Sequence, residues 1–147
     1  MSIDEELPSV NALQALRLLI SQDDDGLRQC VVTHLGVGDI WWIPDEVTGF
    51  AQKERHPWVI VKGYHAHRAT VIASPRTSHR KNLRRGIMTP AGVLPGLDRS
   101  GLVDLSFRRS FSARSFREFE YIGRLSDAYI QKIQEFLATL ARGKTTR

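Results

Sequence analysis

Cysteine is almost absent from this chain. Cys30 stands alone, so no internal disulfide can form, and no Cys/His spacing of a zinc site occurs. Long apolar runs are missing too. The stretch Leu16–Ile20 is interrupted by Arg17 and is far too short to cross a bilayer. The first residues, with Asp4, Glu5 and Glu6, lack the basic start and apolar core of a secretory leader. No internal repeat or low-complexity tract is present. These absences point to a reduced cytoplasmic protein, off the membrane, that folds around a hydrophobic core. The length of 147 residues suits one domain, and a 41% hydrophobic content is enough to build that core.

Negative charge is scarce where positive charge is dense. Residues 1–37 carry Arg17 and Arg28 against six acidic residues, a net of −4. Residues 76–124 carry eleven Arg or Lys against Asp98, Asp104, Glu118 and Glu120, a net of +7, and ten of the eleven cations are Arg. The planar guanidinium matches phosphate oxygens and stacks on bases. That excess favours a polyanionic partner, most simply nucleic acid, over a merely solvated basic surface.

Periodicity divides the chain into an appendage, residues 1–37, and a body, residues 38–147. In the appendage Ser9 caps an expected helix with an apolar stripe of Val10, Leu13, Leu16, Leu19 and Ile20, ended by Asp23-Asp24-Asp25-Gly26. Leu27–Leu35 is ambiguous between helix and strand. From Gly38 onward the texture is β-rich. Strands are expected at Asp39–Ile43, Pro57–Lys62, Ala69–Ser74, Gly86–Val93 and Gly101–Phe107. Asp45–Lys53 reads as a loop, Gly63–Arg68 as a hairpin tip and Arg76–Arg85 as a basic loop. A last amphipathic helix starts at Ser126, with Tyr129, Ile130, Ile133, Phe136, Leu137 and Leu140 on one face, and Gly143 is expected to stop it. Several strands closed by one helix suggest a small curled sheet or barrel.

Five short motifs stand in order along Gly38–Ala141: Gly38-Asp39-Ile40-Trp41; Glu54-Arg55-His56-Pro57 before the apolar Trp58-Val59-Ile60-Val61; Pro75-Arg76-Thr77-Ser78; Arg109-Ser110; and Ile122-Gly123-Arg124-Leu125-Ser126-Asp127. Together they resemble the body of the MazF/PemK (Kid-like) toxins of type II toxin–antitoxin systems. The resemblance implies a β-rich α+β fold, an SH3-like small barrel with a C-terminal amphipathic helix, here preceded by an N-terminal helical extension. It also implies a cytoplasmic, homodimeric endoribonuclease that cuts single-stranded RNA without metal or other cofactor and is held in check by a cognate antitoxin. In that chemistry the ribose 2′-OH loses a proton and attacks phosphorus, the 5′-oxygen leaves, and cations or N–H donors stabilise the phosphorane.

The resemblance assigns residues. Thr77 matches the family's active-site Thr, and Ser78 follows it. The family's catalytic Arg precedes a Pro; here His56 occupies that place and Arg55 lies one residue earlier. Either Arg55 swings in, or His56 replaces it as an acid/base group. In one branch of the family a later strand carries an Arg and an Asp two residues apart; those places hold Asp104 and Ser106, and a His of the first loop is replaced by Phe50. Arg108 and Arg109 can supply the displaced positive charge. Arg76, Ser78, His79, Arg80, Lys81, Arg84 and Arg85 are the further candidates for RNA contact, and His79 is a substitute base. His65 and His67 read as exposed turn residues, and His34 as structural. Trp41, Trp42 and Trp58 are expected in the core or a dimer interface, with base stacking as the other option. Two other readings stand beside the toxin. One is a non-catalytic module of the same fold that binds nucleic acid or protein. The other makes the acidic N-terminal helix a built-in cover for the basic face.

Overall fold

The computed structural model describes residues 34–49, 55–65, 67–78 and 82–145. The expected N-terminal helix, Phe50 and the candidates His79, Arg80 and Lys81 lie outside the described residues. Among the described residues seven strands and two helices follow one another: β1 (Asp39–Pro44), α1 (Asp45–Thr48), β2 (Arg55–His65), β3 (Thr70–Thr77), β4 (Gly86–Thr89), β5 (Gly101–Asp104), β6 (Arg109–Ser112), β7 (Glu120–Arg124) and α2 (Asp127–Thr145). A 3₁₀ segment, Ala113–Glu118, links β6 to β7.

The sheet is antiparallel, with the order β4-β5-β3-β2-β1-β7. Strand β3 shares one edge between two partners. Its first half, Thr70–Ala73, pairs with β6, and Arg76 and Thr77 pair with β5. Pro75, which has no N–H to donate, sits at the handover. Among the described residues no ladder joins β4 to β7. The sheet is therefore curled but open, and not a closed barrel.

Alternation along the strands sends side chains to two cores. Trp41, Ile43, Trp58, Ile60, Val71 and Ala73 meet Phe111, Phe116 and Phe119 from β6 and the 3₁₀ segment. The aromatic rings there meet mostly edge to face, with Trp41 and Phe116 centroids 5.0 Å apart. Ile40, Val59, Val61, Val103 and Leu105 face the other way, against Leu97, Leu125 and the α2 residues Ile130 and Ile133. Trp41 and Trp58 are both fully buried, and each such burial contributes roughly 2–3 kcal/mol. Gly38 lets α2 approach: its φ is +94°, and a Cβ there would lie 2.5 Å from Ile130 Cγ1.

Three expectations change. Asp45–Lys53 is not all loop, because Asp45–Thr48 makes one helical turn that Gly49 ends at φ 81°. Gly143 does not stop α2, which runs through it to Thr145; nothing crowds that position, and a solvent-facing glycine costs a helix only about 1 kcal/mol. Strands β6 and β7 carry too few apolar residues in alternation to stand out in sequence. His65 and His67 are exposed beside the β2–β3 turn, as expected.

Candidate active site

The ladder between β1 and β2 pairs Ile43 with His56 and Pro44 with Arg55. That register carries the start of β2 to the end of β1 and opens a cleft there. Its volume is about 470 Å³, and its walls are Trp42, Arg55, His56 and Pro57 on one side, Arg76 and Ser78 from β3 on another, and Gly96–Arg99 as the cover. A smaller pocket of about 310 Å³ continues past Trp42 and Arg55 to Pro95, Glu120, Tyr121 and Ile122.

The two arginines contributed by β2 and β3 are held in opposite ways. Arg76 is buried, and its guanidinium donates to Thr89 Oγ1 at 2.7 Å, Arg99 O at 2.7 Å and Pro90 O at 3.3 Å. Gly101 makes room for it, since a Cβ there would lie 2.9 Å from Arg76 Cζ. Burial lowers its pKa from the usual arginine value. Arg76 thus clasps the loop that covers the cleft. Arg55 is half exposed; it lies over the Trp42 ring at 4.5 Å and donates to Glu120 Oε1 at 2.8 Å. An exposed pair of this kind contributes about 0–1 kcal/mol, so Arg55 can turn toward an anion at little cost.

His56 is the histidine on the cleft wall. Its Nδ1 lies 2.6 Å from Asp45 Oδ1, with side-chain exposures of 13% and 4%. Asp45 is fixed by the single turn of α1, where its carbonyl accepts from Gly49 N–H at 2.8 Å. Arg109 ties that turn to β6 by donating to Thr48 O at 2.6 Å.

The remaining candidates separate. Thr77 follows Arg76 on β3 and is partly exposed, but the cleft walls are Arg76 and Ser78 on either side of it. Arg85 pairs with Asp104 at 3.1 Å, and Asp104 Oδ1 accepts from both Ser106 N–H and Ser106 Oγ–H. The residues at the displaced Arg and Asp places therefore serve each other and Arg85. Arg84 lies on a separate groove between β4 and α2, with Ile87, Lys132 and Phe136. Arg108 is exposed on the surface. Sequence reasoning missed Asp45, Asp98 and Arg99; Trp42, expected in the core or a dimer interface with base stacking as the other option, packs partly against the core and also walls the cleft. Only charge type marked Asp98 and Arg99, and nothing local marks Asp45, which meets His56 through strand register.

Fold and cleft together define a small antiparallel α+β protein with an arginine- and histidine-lined site at one end of its sheet. Residues 37–141 match the model of the PemK-like, MazF-like toxins of type II toxin–antitoxin systems, and the chain belongs to that family. Among solved structures it is similar to a MazE–MazF complex (Form-II) from Deinococcus radiodurans, with 23% identity, a TM-score of 0.53, and 72% of this chain and 93% of that one covered. It is similar also to MazF (Form-I) from the same organism, at 21% identity and a TM-score of 0.53, over 72% and 94% of the two chains. These likenesses concern the fold. No curated protein matches the sequence significantly. Among the described residues no helix is long and apolar enough to cross a membrane.

Proposed function

We propose that the protein is the endoribonuclease toxin of a type II pair, cutting single-stranded RNA by 2′-OH attack without a metal, in the cytoplasm. The observation that carries this reading is the cleft, where a family fold brings Arg55, His56, Arg99 and Ser78 around one space large enough for a phosphodiester. His56 takes the proton from the 2′-OH. The oxygen attacks phosphorus, and the P–O5′ bond breaks. Arg55 and Arg99 stabilise the charge that builds on the phosphorane, with Ser78 as a hydroxyl donor beside it. Water in the open cleft supplies the proton to the departing 5′-oxygen. Trp42 offers an aromatic face for a neighbouring base.

His56 stands where the family keeps its catalytic Arg, and Arg55 inherits the cationic part of that role. As partners we propose a cognate antitoxin, in line with the MazE–MazF complexes among the similar structures, and a second copy of the chain. The test is incubation of pure protein with mixed single-stranded RNA in EDTA, followed by mapping of the ends. New 5′-hydroxyl and 2′,3′-cyclic phosphate ends are expected. Strict Mg²⁺ dependence would overturn the mechanism. RNA binding without any cut would favour a non-catalytic module of the same fold, the reading that the substituted Arg position supports.

A further inference from the structure

We infer that Asp45 is a positioning residue that fixes the tautomer of His56 on the cleft wall, holding the proton of the neutral ring on Nδ1. The role of His56 in cleavage rests on the reading above; the tautomer does not.

An ionised carboxylate only accepts hydrogen bonds. With Asp45 Oδ1 at 2.6 Å from His56 Nδ1, the proton of the neutral ring belongs on Nδ1. The lone pair then belongs to Nε2, and His56 walls the cleft. This is the arrangement that lets a histidine accept a proton without first rotating or re-tautomerising.

The surroundings of Asp45 fit a role tied to His56 better than a purely structural one. The carboxylate is almost fully buried, yet Oδ2 meets no hydrogen-bond donor among the described residues. A buried carboxylate oxygen without a donor is costly. A fold that needed only a polar anchor here would be better served by a neutral side chain. The anchor is also rigid: Gly49 N–H closes the α1 turn on Asp45 O, and Arg109 holds Thr48 O from below. Glu46 shares the turn, while Arg55, Arg76, Asp98 and Arg99 are the other charged groups on the cleft. With so many charges near, the ring's proton position, not its total charge, is the property that isolates Asp45.

The test is long-range ¹H–¹⁵N NMR of the full chain labelled on histidine nitrogens, at a pH where His56 is neutral, with Asp45→Ala and His56→Gln. The His56 signals, assigned by their loss in His56→Gln, should show the proton on Nδ1. In Asp45→Ala the proton should move largely to Nε2. On RNA, Asp45→Ala should lower kcat on the order of 100-fold or more while KM changes little. In the His56→Gln background the same change should cost nothing further, because the two residues act as one unit. A wild-type ring protonated on Nε2 would overturn the inference, and that measurement needs no variant to fold. So would an Asp45→Ala protein with unaltered tautomer and rate. If the tautomer responds as expected but wild type never cuts RNA, the positioning contact stands and the ribonuclease reading falls.

Discussion

Strand β1 buries a carboxylate at each end, and the two are treated differently. At the start, Asp39 accepts from Tyr121 Oη at 2.7 Å and from Gly36 N–H at 2.8 Å, with Arg124 Nη1 at 3.5 Å. Just past the end, Asp45 has His56 on one oxygen and, among the described residues, no donor on the other. The Asp39 network pins the entry of the body. His34 lies edge-on to Tyr121 at 4.3 Å, and its carbonyl accepts from Trp41 Nε1 at 3.0 Å. Burial raises the Asp39 pKa, opposed by Tyr121, Gly36 and Arg124, and burial together with Asp39 raises that of Tyr121. A carboxylate meant to hold structure is surrounded by donors. Asp45, to which we assign the positioning of His56, is left with one among the described residues.

The comparison breaks most easily at Asp39. Asp39→Ala removes the acceptor for Tyr121 Oη and Gly36 N–H, and each stranded donor costs about 1–3 kcal/mol. Stability to urea should fall by roughly 2–4 kcal/mol, while RNA cleavage per folded molecule stays at the wild-type rate. A stable but inactive Asp39→Ala protein would place chemistry at the wrong end of β1.

Arg55→Ala should do the reverse. Its exposed pair with Glu120 adds little stability, about 0–1 kcal/mol. Cleavage should fall on the order of 100-fold, as for loss of one contact to a developing anion. Ser78→Ala is expected to reduce cleavage as well, with the melting temperature kept, and Thr77→Ala to do so less, since Ser78 and not Thr77 lines the cleft. If Arg55→Ala, His56→Ala and Thr77→Ala all cut like wild type while folded, the site lies elsewhere.

A smaller effect distinguishes the two arginines of the cleft. Arg99→Gln should reduce the slope of log affinity for RNA against log salt by about one, because one phosphate contact is lost. Arg76→Gln should loosen the loop it clasps and lower stability, with less change in that slope. Equal slopes for both variants would mean that Arg76 also meets phosphate.

The smallest effect is a pH dependence. The Asp39 carboxyl is raised in the folded state, so the fold holds its proton more tightly than the unfolded chain does. Its contribution is fully present below the ordinary carboxylate value of 3.8 and fades as pH rises through the raised value. Comparing urea midpoints of wild type and Asp39→Asn across this acid range should show wild type losing ground to the variant as pH rises. Parallel curves would mean that the carboxyl titrates alike in both states.

Much of the fold was legible without coordinates. The β-branched runs at Pro57–Lys62 and Ala69–Ser74 became the centres of β2 and β3, and the helical spacing from Tyr129 to Leu140 became α2. Strands β6 and β7 were not legible, because four or five residues carrying Arg, Ser and Glu show no alternation strong enough to rise above loop. Of the site, the Arg55-His56 and Arg76–Ser78 motifs were legible and do converge on one cleft. Asp45, Asp98 and Arg99 were not: Asp98 and Arg99 reach the cleft from a loop, and Asp45 meets His56 from a single helical turn, each with no pattern of its own.

The sequence by itself determined the sequence-local features: where side chains alternate, where they repeat at helical spacing, where arginine accumulates and which motifs name the family. Only the tertiary structure decided which arginine is a clasp and which is available, and which of the three aspartates buried among the described residues faces a histidine. Local periodicity is written in neighbouring residues. Burial, hydrogen-bond supply and the meeting of Asp45 with His56 depend on strand register and on the closing of distant surfaces over one another, and no short stretch of the chain records either.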